Sequence, residues 1–296
     1  MKHGAGIAFA ILGYLSASAC DSAIKWASGT YPVAEELALA ALFSLIPMAV
    51  ATMAAGGLSA LATRKLKLHL LRGSLSLASS FAGYFALGHM KLADFYAVVF
   101  TAPLFITALS APLAGERVDG ARWLAVLVGF AGVVVMVRPG SELAGVGALG
   151  ALGAALFYAL AVLLVRRMGE SEQAVTFGVY GSLVMIAGSS AVALSRPELA
   201  LPPLADLPAF AFAGIAMGCA MLGLFAAFRR TPAMVLAPFQ YSQMIWGALI
   251  GLTVFGERPD AAMLAGGVLV VGAGLYILRR ESLAGAGESL SGSRPA

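Results

Sequence analysis

Residues 104–119 read LFITALSAPLAGERVD, and the same design returns 141 residues later as IWGALIGLTVFGERPD over 245–260. Gly115, Glu116, Arg117 and Asp119 fall on Gly256, Glu257, Arg258 and Asp260 without a gap. Upstream the likeness is physical rather than literal: Phe100 meets Tyr241, Thr101 meets Ser242, and Phe105 meets Trp246. Downstream an Ala-Gly pair closes each copy, Ala131-Gly132 and Ala273-Gly274. A single GER tripeptide carries little weight. GERxD twice, each between apolar runs of about 20 residues, marks an internal repeat.

Composition says what kind of chain repeats itself. Of its 296 residues 60% are hydrophobic and 11% charged, with a mean hydropathy of +0.90; soluble domains carry about 25% charged residues. With 35 glycines scattered through long apolar runs, the chain reads as an all-α integral membrane protein. The formal charge of +4 and the pI near 9.2 reflect Lys and Arg gathered at one membrane side, and imply no nucleic acid or acidic partner. Cys20 and Cys219 sit in apolar runs as small core hydrophobes, and their spacing suits no metal.

Met1-Lys2-His3, an apolar run and the Ala-Ser-Ala-Cys ending at Cys20 imitate a cleavable signal. Cleavage would strip one repeat of a helix, so the segment is read as the first span. Apolar runs between polar or Gly/Pro breaks then predict ten helices: 4–27, 33–55, 69–89, 93–114, 121–137, 146–166, 174–194, 208–228, 233–255 and 261–278. Residues 282–296 are polar and Gly/Ser-rich, and are predicted to be a disordered cytoplasmic tail. The division is therefore 1–140 and 141–281, two five-helix repeats, followed by the tail.

Orientation follows from charge. With the N-terminus inside, only Lys25, Lys91, Arg138, Arg196 and Arg258 of the 19 Lys and Arg fall on the outer side. The positive-inside rule then places both termini in the cytoplasm, with the chain in the inner membrane. The GERxD loops follow the fourth and ninth helices, an odd number of spans apart, so one faces the cytoplasm and its copy faces outside. That is an inverted-topology repeat, which in secondary transporters puts the substrate between the halves near the bilayer midplane. Transport by alternating access is the inference.

Ten apolar helices in two halves, each with a Pro or small-residue helix running into GER and then an Ala/Gly-rich helix, resemble the EamA-type members of the drug/metabolite transporter superfamily. The resemblance covers residues 4–280 and rests on the doubled motif. In length and aromatic-rich helices the chain is similar to YddG-type amino-acid exporters. The resemblance implies ten helices around a central cavity, with the fifth and tenth at its periphery, and export of amino acids, metabolites or drugs. Smaller four-helix members carry a Glu in their first helix; this chain has none there. Import of a flat metabolite or vitamin is the alternative within transport; a receptor or structural role is the alternative outside it.

Polar and aromatic residues within the spans are the candidate lining. The third helix offers Ser76, Ser80 and Tyr84, four apart on one face. The fourth offers Tyr96, Phe100 and Thr101; the sixth Tyr158; the eighth Met217 and Met221; the ninth Gln240, Tyr241, Gln243 and Trp246. An unpaired amide is costly in hydrocarbon, so Gln240 and Gln243 either line the cavity or bond neighbouring helices. Tyr84, Tyr158 and Tyr241 lie well inside their runs and are read as lining, Tyr14 and Tyr276 as anchors or packing residues. Asp21 and Lys25, one turn apart, either support their helix or serve as a gate that holds a zwitterion. Glu116 and Glu257 are read as loop partners of Arg117 and Arg258. Pro103 and Pro238 interrupt the helical ladder as hinges or fixed kinks, and GxxxG at 214–218 and 247–251 lets backbones approach.

Other classes fit poorly. No acid or His is expected in mid-helix to activate a serine, so the chain is not read as an enzyme. Without GxxxxGK[ST] it has no ATPase of its own, and no ATPase subunit is evident. The implied partners are a small-molecule substrate and the lipid bilayer; no cofactor or metal is expected. A lining of rings, hydroxyls and amides without a deep fixed charge fits amino acids or flat neutral metabolites and argues against polyanions.

Overall fold

The computed structural model describes residues 4–114, 119–137, 145–168, 172–196, 202–228, 230–231, 233–258 and 260–291. They form α1 (Gly4–Ala27), α2 (Val33–Ala54), α3 (Leu66–Leu87), α4 (Leu92–Val99), α5 (Ala102–Ala114), α6 (Gly120–Val137), α7 (Val146–Met168), α8 (Ala174–Leu194), α9 (Leu207–Phe228), α10 (Ala233–Gln240), α11 (Ser242–Val254) and α12 (Ala261–Ser291), with no strand among them. By length and composition seven stretches can cross a membrane: α1, α2, α4 with α5, α7, α8, α9 and α12. The helices α6 and α11 are apolar but shorter. The first turns of α3 carry Lys67, His69 and Arg72, which break its apolar run.

Three differences from the sequence reading stand out. The segments expected as single helices at 93–114 and 233–255 are each broken, at Phe100-Thr101 and at Tyr241. Pro103 explains the first break, because it has no N–H to continue the ladder. At offset 141 the second half has Met244 in its place, so the second break is imposed by packing. Finally, α12 runs to Ser291, and the described part of the tail is helical rather than disordered. Leu283, Ala284, Ala286 and Glu288 are good helix formers, and no proline intervenes before Pro295.

Helix starts recur at the motif's own interval. Val33 and Ala174, Leu66 and Leu207, Leu92 and Ala233, and Gly120 and Ala261 are each 141 residues apart. Packing pairs elements across the two halves: α1 lies on α9, α3 on α7, α6 on α12, and α2 on both α8 and α9. The α6–α12 crossing brings backbone against backbone. A Cβ on Gly132 would stand 2.8 Å from the Gly266 carbonyl oxygen, and one on Gly266 2.4 Å from that of Gly132. Small residues set such crossings in lipid, where apolar burial gives helices no reason to associate.

The GERxD motif resolves into three jobs. Gly256 ends α11 at φ +65°, a left-handed position that a Cβ disfavours. The Phe255 and Glu257 N–H groups both donate to the Gly251 carbonyl, at 3.2 and 2.8 Å, folding the chain back over the helix end. Asp260 accepts from the Met263 N–H at 2.7 Å and Asp119 from the Arg122 N–H at 2.8 Å, so the motif's aspartate caps the following helix in both copies. Gly115, Glu116 and Arg117 of the first copy lie outside the described residues.

Candidate functional site

The turn at Gly256 throws Glu257 inward. Its Oε1 is 3.1 Å from Lys25 Nζ, and its Oε2 accepts the Leu92 N–H at 2.9 Å. Lys25 also donates to the carbonyls of Leu87 at 3.1 Å and Met90 at 2.5 Å, and lies 5.5 Å from the Phe255 ring centre. One ammonium thus ties the ends of α1, α3 and α11 to the start of α4. With side chains only 12% and 17% exposed, the pair is far less screened than a surface ion pair. The expected Glu257–Arg258 loop pairing gives way to this contact.

Asp21 lies one turn deeper on α1 and accepts the Tyr96 hydroxyl at 2.7 Å. Asp21 and Lys25 therefore each bind across helices instead of pairing with each other as the sequence suggested. The cause is competition: a phenol from α4 and a carboxylate from the α11 turn offer better geometry than a neighbour along the same helix. Tyr84, on α3, sits 3.6 Å through its hydroxyl from Cys20 Sγ. The Tyr96 ring stacks near Phe100 at 6.1 Å, and Phe100 meets Tyr241 edge-on at 5.1 Å. Phe100 and Tyr241 are repeat-equivalent, and they touch. Gly247 makes room for Tyr96, since a Cβ there would overlap the ring.

The sequence-derived lining residues fall into three groups. Tyr84, Tyr96, Phe100 and Thr101 are buried together around Asp21, with the Thr101 hydroxyl donating to the Val98 carbonyl at the helix break, 2.8 Å away. Ser80, Met217, Met221, Gln240, Gln243 and Trp246 are half-buried. Among the described residues Gln240 and Gln243 make no hydrogen bond, and the buried Trp246 Nε1 and Ser242 Oγ have no partner. Tyr158 is 47% exposed, and Tyr14, read as an anchor or packing residue, is buried. Tyr241 is different: its hydroxyl is directed at Gly274 of α12, away from Asp21. Pro103 opens α5, and the side chain of Pro238 lies outside those described.

Two features escaped the sequence reading. Glu35 and Glu36, in the first turn of α2, are 4% and 0% exposed, and no oxygen of either has a hydrogen-bond partner among the described residues. Acids within the run VAEELALAALF were the available signal. At the opposite end of the molecule His69, fully buried, is 2.9 Å through Nε2 from Glu172 Oε2, between the rings of Phe177 and Tyr180. This hydrogen bond, with help from Thr63 and Lys65, holds the Glu172 carboxyl below its ordinary range. Beside it a cavity of about 700 Å³ opens between α2, α8 and α9, lined by Ala51, Ala54, Leu222 and Phe225 and rimmed by Glu172, Gln173 and Arg230.

Several transporters are similar to this chain in sequence. The riboflavin transporter of Rhizobium johnstonii is 29% identical over 225 residues, 76% of this chain and 74% of its own. The S-adenosylmethionine uptake transporter of Rickettsia bellii is 25% identical over 95% of this chain and 96% of its own. The pseudopaline exporter CntI of Pseudomonas aeruginosa is 26% identical over 93% and 96%. A crystal structure 20% identical in sequence superposes with a TM-score of 0.64, covering 92% of this chain and 98% of that one, a likeness of fold alone. Residues 145–279 match the EamA-like transporter family, so the second half of the chain is similar to that family, and named transporters are similar to the chain along most of its length.

Proposed function

We propose that the protein is a ten-span secondary transporter, built from inverted repeats 1–140 and 141–281, that moves an amino acid or a related small metabolite by alternating access. Both termini lie in the cytoplasm, and the Lys25–Glu257 end faces outward. The observation that carries this reading is the Lys25–Glu257 contact, which ties α1 of the first half to the α11 turn of the second at one end of the molecule. Cavities of about 790 and 700 Å³ lie toward that end and the opposite one. The 141-residue interval of helix starts and the crosswise pairing of α1 with α9 and α3 with α7 support the inverted repeat. The Trp246 Nε1, buried without a partner among the described residues, and the exposed Tyr158 support a lining that meets substrate between the halves.

The direct test is flux in proteoliposomes with radiolabelled amino acids, riboflavin and S-adenosylmethionine, together with Lys25→Cys/Glu257→Cys joined by an oxidant. Flux that vanishes on oxidation and returns with reductant is expected; undiminished flux in the cross-linked protein would exclude alternating access at this end. Export is the reading favoured by resemblance to the amino-acid exporters. Uptake is the second reading, because the Rickettsia relative is named for it. Loading substrate on one side or the other of oriented vesicles separates the two.

A further inference from the structure

Two carboxylates of the first half, Asp21 on α1 and Glu36 on α2, are drawn into the interior. Asp21 accepts the Tyr96 hydroxyl at 2.7 Å. Tyr84, bonded to Cys20 beside it, lies in the electrostatic field of both Asp21 and Glu36. Glu36 is fully buried, and neither of its oxygens has a partner among the described residues. Asp21 is half-buried.

Position alone accounts for some of this. The first turn of a helix favours an anion, but it supplies a hydrogen bond neither to Glu35, a wall of a separate apolar pocket of about 230 Å³, nor to Glu36. An ionised carboxylate kept from water needs a cation or several donors, and three of the cations on these helices are engaged elsewhere. Lys25 is held by Glu257 and two carbonyls, and Lys91 donates to the Arg258 carbonyl. Arg72, on the same helix as Tyr84, is bonded to the Phe177 carbonyl near the far end. Beside Asp21 stand the Tyr96 phenol, bonded to it, and Tyr84, bonded to the neighbouring Cys20; aromatic ring faces attract cations.

We propose that Asp21 and Glu36, with the Tyr84 and Tyr96 phenols, form a subsite for the cationic group of the transported molecule, a protonated amine or comparable organic cation. The inference rests on the transport reading above and narrows it from neutral metabolites to cation-bearing ones. A neutral molecule would leave Glu36 unanswered, whereas an ammonium brings its own donors and charge.

Binding to the purified full-length protein in nanodiscs, read as ligand-induced shifts of the thermal midpoint, tests this without requiring flux. Tryptamine, cadaverine and S-adenosylmethionine serve as cationic probes, tryptophol and riboflavin as neutral ones. At least one cationic probe should bind, and tryptamine should bind at least about tenfold more tightly than tryptophol. Glu36→Gln and Asp21→Asn should each weaken the cationic probe by about tenfold or more while leaving any neutral binding intact. The ligand-free midpoint checks folding, and either variant suffices if the other fails to fold. The subsite is overturned if no cationic probe binds wild type, if tryptamine and tryptophol bind alike, or if the variants weaken both classes equally, the mark of a proton-carrying or structural role. Cation binding without flux in liposomes would sink the transport reading and keep the subsite; flux without cation preference would do the reverse.

Discussion

At offset 141 the acids Asp21, Glu35, Glu36 and Asp94 of the first half stand opposite Val162, Thr176, Phe177 and Val235 of the second. The helices carrying them nevertheless begin at matching places. In return Gln240, Gln243 and Trp246 of the second half stand opposite Val99, Ala102 and Phe105 of the first. What repeats is what packing demands: small residues at crossings, a glycine at the turn, an aspartate at the cap. What differs is the polar chemistry facing the interior. A site between two halves needs each group only once, so duplication leaves the other copy free to become apolar.

This contrast can be attacked at the shared skeleton first, where the largest effect is expected. Gly132→Leu and Gly266→Leu each force a side chain into the other helix's backbone, so both should destabilise by about 3 kcal/mol or fail to fold. A well-folded Gly266→Leu protein with an unchanged midpoint would show that the α6–α12 crossing is not the common frame. Next comes the chemistry of the first half. Tyr96→Phe deletes the hydroxyl that Asp21 accepts, and should cost about 1–2 kcal/mol and cut flux by more than the lost stability explains. Flux that falls only in step with folded protein would make Tyr96 a packing residue.

On the second half the expected effect is smaller and of a different kind. Trp246→Phe removes an N–H that has no partner among the described residues, so stability should change by less than about 1 kcal/mol or rise slightly. Transport should fall several-fold if that N–H meets substrate, and an unchanged rank order of competing substrates would remove Trp246 from the site. The smallest effect is expected at Glu172. Its carboxyl is held below the ordinary range by His69, so its contribution is present above the ordinary carboxylate range and lost as pH falls through its lowered value. The midpoint gap between wild type and Glu172→Gln should accordingly shrink on acidification. A gap that widens toward low pH would reverse the assignment.

The skeleton was readable because it leaves periodic marks. Apolar runs, Gly/Pro breaks and the doubled GERxD located the helical segments within a few residues, apart from the two breaks and the helical extension to Ser291. The second break shows the limit: Met244 carries no local signal, and only the fold imposes a bend at Tyr241. At the site, Tyr84, Tyr96 and Phe100 could be picked out as rings deep in apolar runs. Their partners could not. Asp21 reaching Tyr96 and Lys25 reaching Glu257 are contacts between residues far apart in sequence, whereas pairing along one helix is what sequence proposes by default. Glu36 was missed for a plainer reason: an acid near a helix start looks like an ordinary terminus until burial shows that water does not reach it.

Cys20 gives the chain a built-in clock. Its thiol is 3% exposed and bonded to Tyr84 in the same network as Asp21, while Cys219 sits on the exposed face of α9. With Cys219 replaced by serine, a maleimide dye can label the protein only at the rate at which the network parts, because a thiol reacts as the accessible thiolate. Labelling measured over a range of dye concentrations should therefore plateau at the opening rate. A substrate that holds the network closed should slow it, and one that draws it open should speed it, reporting occupancy without any engineered probe.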